Sequence, residues 1–336
     1  MKKIPEIFTF GTLAPIFVIV AHANVMSIPY FTDDFYLVTY LVFRLLSFVV
    51  PAFIFASGLK LSRKYADDSI KLNYFQFLGS RLLKIYLPYV FWVAAYYFYF
   101  INRGLLAFNW QELLIYIGNG QLVDHLYFVV AIMQLYLLFP LILRFCKKTT
   151  PIIGILLTLP LTIAGRIMLD SSAWFLSHII FFVLGCYAGA FYDEFLNWLK
   201  RLRFLLYPSY IVVAGAHLFM SFQHSIGNFN YEHRHTMTVV FCALSILVFY
   251  HICVILNNSA KKREHGGLLA RNLSSASYYV YLSHILVLLE VQRRLAYFGA
   301  FDSLHRYLIM LAIGIIVPFA VFVPYVKLKQ MLFKKK

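Results

Sequence analysis

Ten stretches of the chain are long and mostly apolar, separated by short polar segments: residues 7–28, 36–58, 78–101, 125–143, 151–168, 173–192, 204–222, 236–256, 274–292 and 306–326. Each is long enough to cross the ~30 Å hydrocarbon core of a bilayer. Unpaired backbone is too costly in lipid, so each is predicted to be a helix. The apolar character is continuous and does not alternate residue by residue, which excludes a β-barrel. The pattern therefore predicts an all-α fold, a polytopic membrane helix bundle of about ten transmembrane helices. It forms one transmembrane domain over residues 1–336, with the lipid bilayer as its surroundings. Segment 59–77 reads as a surface helix or connector, and 109–118 as a short amphipathic helix at the interface. No inverted repeat or soluble domain is visible.

Composition supports this reading. Apolar residues make up 62% of the chain and charged residues 13%, and the mean hydropathy is +0.75, far from the balance of a soluble domain. The net charge of +16 would suit nucleic acid, but its distribution carries a different meaning. All sixteen lysines fall at the two ends or in alternate loops: Lys2 and Lys3; Lys60, Lys64, Lys71 and Lys84; Lys147 and Lys148; Lys200; Lys261 and Lys262; and Lys327 onward. The intervening loops carry Asp33, Asp34, Asp124, Asp170, Glu232 and Asp302. This is the positive-inside pattern. It predicts cytoplasmic termini and an even number of spans, and it gives no reason to expect a nucleic-acid partner.

Lys2-Lys3, an apolar stretch and Ala21-His22-Ala23 also have the outline of a cleaved leader; in a chain of many spans the segment reads as a retained first span. Cys146, Cys186, Cys242 and Cys253 lie in or beside spans without a CxxC pair, so neither a disulfide framework nor a zinc site is expected. Tyr231 to His235 offers Glu232, His233 and His235 as ligands, but with no third cluster at suitable spacing it reads as a solvated outer loop. No metal site and no bound cofactor are predicted.

Polar groups inside apolar runs are costly, and they mark candidate chemistry. His22 closes the first run and His284 sits within the ninth. Arg44 is the only arginine well inside a span, at a depth similar to His22 by helix rise. Glu290 lies six residues beyond His284, where it either orients a substrate or pairs with Arg293 or Arg294. Arg81 and Lys84 open the third span three residues apart, on one helix face, as an anion site or as inner-side anchors. His178 and His217 fall in outer halves of spans, and His251 near an inner end.

Five strings, in order along the chain, carry a resemblance. They are FVVPAFIFASG at 48–58; RLLKIYLPY at 81–89; HLYFV at 125–129 with Leu135-Tyr136 and Phe139-Pro140; FFVLG at 181–185; and SYYVYLSH at 277–284. Together they resemble the integral-membrane acyltransferase-3 family, ten-helix enzymes that O-acylate cell-surface glycans. The resemblance implies an acyltransferase of the bacterial plasma membrane. It would move an acyl group, acetyl or succinyl, from cytoplasmic acyl-CoA as co-substrate to hydroxyls of an exopolysaccharide or other surface glycan. Polysaccharide synthase machinery is an implied partner.

Such a transfer needs a base for the acceptor proton and a charge for the oxyanion. His22 would be the base and His284 a second catalytic or structural group on the path from donor to acceptor, with Ser283 beside it. Arg81 and Lys84 would hold the donor phosphates. Tyr127, Tyr136, Glu290 and His178 would line the site. One position departs from the family: the arginine expected eleven residues before the span-one histidine is Gly11 here. Arg44 is a candidate to supply that charge, or else it pairs with Asp33 or Asp34, or snorkels outward. Two other readings stay open: a transporter or flippase for a glycan or lipid-linked precursor, and a non-catalytic relative in a synthase complex. Missing repeats count against the transporter.

Overall fold

The protein is described by a computed structural model over residues 4–27, 33–67, 70–169, 172–227, 234–261, 264–298 and 303–333. Among these residues all regular structure is helical, with no strand. In chain order the helices are α1 (Glu6–Ser27), α2 (Asp33–Leu45), α3 (Val49–Lys64), α4 (Tyr74–Arg81), α5 (Leu87–Asn102), α6 (Trp110–Asn119) and α7 (Tyr127–Lys148). There follow α8 (Pro151–Met168), α9 (Ile179–Ala190), α10 (Tyr192–Arg201), α11 (Arg203–Ser225), α12 (Arg234–Lys261), α13 (Glu264–Phe298) and α14 (Ser303–Phe333).

All ten apolar runs fall on helix apart from their edges. Among the described residues seven helices are long and apolar enough to cross a membrane, and an eighth span results if the pair Phe175–Ala190 and Tyr192–Arg201, bent by 103°, is one broken span. The other two runs have physical reasons to differ. Run 78–101 is assembled from the end of α4, a π turn over Leu82–Tyr86 and α5. Run 274–292 lies inside the 35-residue α13, whose apolar character is diluted by Ser274, Ser275, Ser277, Ser283, His284 and four residues of Tyr or Glu type between 278 and 290.

Segment 59–77 is mostly helix: α3 runs on to Lys64, and α4 starts at Tyr74 behind Asn73, whose side chain accepts from the Gln76 amide. The expected short helix at 109–118 is α6. Asn109 caps its first amides, at 2.8 Å to Gln111 and 3.4 Å to Glu112. Gly120, at φ +69°, closes it in the left-handed region that glycine enters freely. The outer-loop residues 231–233 and the aspartates at 170 and 302 lie outside the described residues.

The chain forms two compact units. One comprises Val50–Trp198, and the other joins residues 3–49 to Leu199–Lys336. In the first, α3 and α9 meet backbone to backbone. A Cβ at Gly58 would strike the Phe182 carbonyl oxygen, one at Gly185 that of Phe55, and one at Gly189 that of Leu59. Small residues that let helices approach are the usual device where lipid removes the hydrophobic drive between them. The glycines of FASG and FFVLG are thus packing residues.

In the second unit α1 and α13 run parallel, because their contacts climb together: Thr12 to the Ala270 carbonyl at 3.1 Å, Gly11 on Ser274, and Gln292 to the Met26 carbonyl at 3.0 Å. Antiparallel contacts join α2 to α11, where the Tyr40 hydroxyl donates to the Ser221 carbonyl at 2.9 Å. Helix α1 carries Pro15 in its interior. A buried polar pair ties its base to α12, with the Tyr250 hydroxyl donating to Glu6 at 2.9 Å.

Candidate active site

The structure brings the two leading histidines together. His22 on α1 and His284 on α13 have ring centroids 5.2 Å apart at 50°, and His284 is fully buried while His22 is partly open. The parallel register explains the meeting, since the Thr12–Ala270 and Met26–Gln292 contacts bracket both rings. Nδ1 of His284 lies 2.6 Å from the Tyr281 carbonyl oxygen. A carbonyl oxygen can only accept, so Nδ1 carries the proton and Nε2 keeps the lone pair. Ser283 is buried, but its hydroxyl donates back to the Val280 carbonyl at 3.3 Å, an intrahelical bond. Glu290 binds Arg293 and, at 3.1 Å, Arg294, so its carboxylate is engaged on its own helix.

Gly11 has a local explanation. A Cβ there would land on the Ser274 hydroxyl, so α1 and α13 are too close for an arginine side chain to start from this position without displacing Ser274. Arg44 groups with α11: it lies within electrostatic reach of His217, which is fully buried and stacked on Phe241 at 4.3 Å. Among the described residues no carboxylate pairs with it. The side chains of Asp33 and Asp34 lie outside the described ones.

The remaining candidates belong to the Val50–Trp198 unit. The Arg81 guanidinium sits over the rings of Phe77 (5.0 Å) and Tyr136 (5.3 Å), with its Nε buried and unpaired. Tyr136 in turn shares a 2.7 Å hydrogen bond with Ser57. Lys84 does not join Arg81. The intervening π turn, with its wider repeat, leaves Lys84 exposed while Arg81 turns inward, so spacing that would align them on an α-helix separates them here. The cation within electrostatic reach of Arg81 is Lys60, on α3, which the sequence reading passed over as a loop lysine. Its position three residues after Ser57 is the signal that could have found it. Tyr127 stacks on His178 (6.0 Å, 13°), whose Nε2 donates to the Ser172 carbonyl at 3.0 Å.

An open cavity of about 630 Å³ lies in the same unit, lined by Tyr74, Leu137, Pro140 and the cations Arg144, Lys147 and Lys148. Among the described residues no group of three His, Cys, Asp or Glu side chains is placed to hold a metal ion.

The described residues thus give an all-helical membrane chain with a close histidine pair, and comparison with known proteins gives its class. The family model described as an acyltransferase domain, that of acyltransferase 3, matches residues 12–323. The chain belongs to this family of membrane acyltransferases. It is similar to the Bacillus subtilis (strain 168) protein named "Putative membrane-bound acyltransferase YfiQ", at 25% identity over 307 residues, 84% of this chain and 80% of that protein. No solved structure matches it significantly.

Proposed function

We propose that the protein is an O-acyltransferase that moves an acetyl or succinyl group from cytoplasmic acyl-CoA to a hydroxyl of an exopolysaccharide or other surface glycan, across a bacterial plasma membrane. The observation that carries this reading is the His22–His284 pair. His22, the more accessible ring, takes the proton of the acceptor hydroxyl as its oxygen attacks the thioester carbonyl. The new C–O bond forms, the C–S bond breaks, and the departing thiolate takes up a proton. His284, with Nδ1 committed to Tyr281, stands beside it as the positioning group.

Donor and acceptor lie on opposite sides of a ~30 Å barrier in this scheme. Ten spans and cytoplasmic termini, as the lysine distribution implies, put the histidine ends of α1 and α13 outward. The parallel course of these two helices supports that topology. Arg81 and Lys60, two neighbouring cations, have the charge that suits the phosphates of acyl-CoA.

The test is the acyl content of surface polymer, by mass spectrometry, in deletion, wild-type and His22→Ala strains. Loss of a general base lowers the rate by a factor of about 10²–10⁴. Acylation should therefore fall to the deletion level with polymer export intact. Unchanged acyl content in both strains would overturn the proposal, and so would lost export with acyl groups retained, which favours a transporter.

A further inference from the structure

A second polar cluster in the Leu199–Lys336 unit has no role in the scheme above. On facing turns of α2 and α11, four buried polar atoms lack a hydrogen-bond partner among the described residues: Arg44 Nε, His217 Nδ1 and Nε2, and Ser221 Oγ. His217 is 0% and Ser221 2% exposed. Buried polar groups are almost always bonded, so four orphans on three residues within two helical turns constitute a site and not a scatter of lapses. The site is also held rigidly. Phe241 stacks on the His217 ring at 12°, and Tyr40, one turn from Arg44, clamps the Ser221 carbonyl. The Arg44 main chain lies close to one nitrogen of the His217 ring, which leaves the other nitrogen for a ligand.

We propose that Arg44, His217 and Ser221 form a binding site for a carboxylate carried by a substrate. Arg44 Nε–H, the Ser221 hydroxyl and one imidazole N–H are three donors, and a carboxylate offers four lone-pair positions in one plane to receive them. Water would satisfy the hydrogen bonds but leave the guanidinium without a counter-charge among the described residues. A carboxylate meets both needs. The antiparallel register of α2 on α11 sets this cluster toward the C-terminal end of α11, the end of the unit at which His22 also lies.

On the acyltransferase reading, on which this assignment rests, that is the acceptor's side, and the substrate class is an acidic glycan such as a uronate-bearing polymer. The other source of the same chemistry is the free carboxylate of a succinyl group.

The experiment uses the full-length protein in detergent, with thermal stability measured against sodium glucuronate, its methyl ester and sodium succinate. The expected result is stabilisation by a carboxylate and not by the ester, lost in Arg44→Gln and Ser221→Ala and partly kept in Arg44→Lys. Glucuronate stabilisation assigns the site to the acceptor, and succinate stabilisation alone assigns it to the donor's acyl group. Stabilisation by neither, or equal stabilisation of the Arg44→Gln protein, overturns the proposal and leaves the cluster as a water site.

In membranes supplied with acetyl-CoA, the ratio of kcat/KM for acidic over neutral oligosaccharide should fall about tenfold in Ser221→Ala or Arg44→Gln, the loss of one charge-assisted contact. An unchanged ratio, with glucuronate binding abolished, would also overturn the acceptor assignment. If carboxylate binding is present but no oligosaccharide is acylated by the wild type, the enzymatic reading fails while the site stands.

Discussion

The two units solve the same packing problem in opposite ways. In Val50–Trp198, α3 and α9 touch through Gly58, Gly185 and Gly189, main chain against main chain. In the other unit, α1 and α13 are tied by side chains at both ends, Thr12 to Ala270 and Gln292 to Met26, with the His22–His284 pair between the ties. Contact at glycines leaves no volume for a reacting group. In the other unit the close glycine contact, Gly11 on Ser274, is confined to one end of α1, and beyond it polar tethers hold the titratable rings side by side. The proposed chemistry thus falls on the interface that has room for side chains, and backbone contact on the other.

The comparison can be broken most severely at Gly185. Gly185→Val puts a branched side chain on the Phe55 carbonyl and should cost about 3 kcal/mol or more, read as loss of folded monomer on size-exclusion in detergent. A normal elution profile and melting point would mean that α3 and α9 separate easily. Next, Tyr250→Phe removes the donor to the buried Glu6 carboxylate and should lower stability by about 2 kcal/mol in a thermal melt.

Gly11→Ala should cost about 1 kcal/mol through the Ser274 hydroxyl, and Ser274→Gly in the same chain should recover it. Failure of that recovery would remove the packing explanation for this glycine. The smallest effect is Ser57→Ala, which deletes one hydroxyl bond to Tyr136. It should move the melt by about 0.6 kcal/mol, the usual worth of such a bond between membrane helices.

Much of this was legible from residue order. Apolar run lengths located the seven described helices that are long and apolar enough to cross a membrane, because 3.6-residue geometry and a fixed bilayer thickness leave few alternatives. Asn109 and Gly120 bracket α6 by ordinary capping chemistry. The place of His22 inside the first apolar run and the SYYVYLSH string pointed to the histidines that meet.

What stayed hidden depended on contacts between distant segments. The π turn at Leu82–Tyr86 leaves no periodic trace, so Arg81 and Lys84 looked aligned when one faces inward and the other out. Lys60 reaches Arg81 only through the fold. The grouping of Arg44 with His217 and Ser221 follows from the register of α2 on α11, which no local pattern encodes.

Pro15 has a consequence for the helix that bears His22. A proline inside a helix has no N–H to give to the carbonyl four residues back, and here that carbonyl belongs to Gly11, the residue with the least side-chain bulk to resist bending. Between them the Thr12 hydroxyl also draws on the Phe8 carbonyl at 2.9 Å, a contact that bends helices further. Helix α1 therefore has one weakened turn, between Gly11 and Pro15, with a tie to α13 at its start, Thr12 to Ala270, and another beyond it, Met26 to Gln292. The missing bond loosens the helix at that turn without releasing His22 from His284.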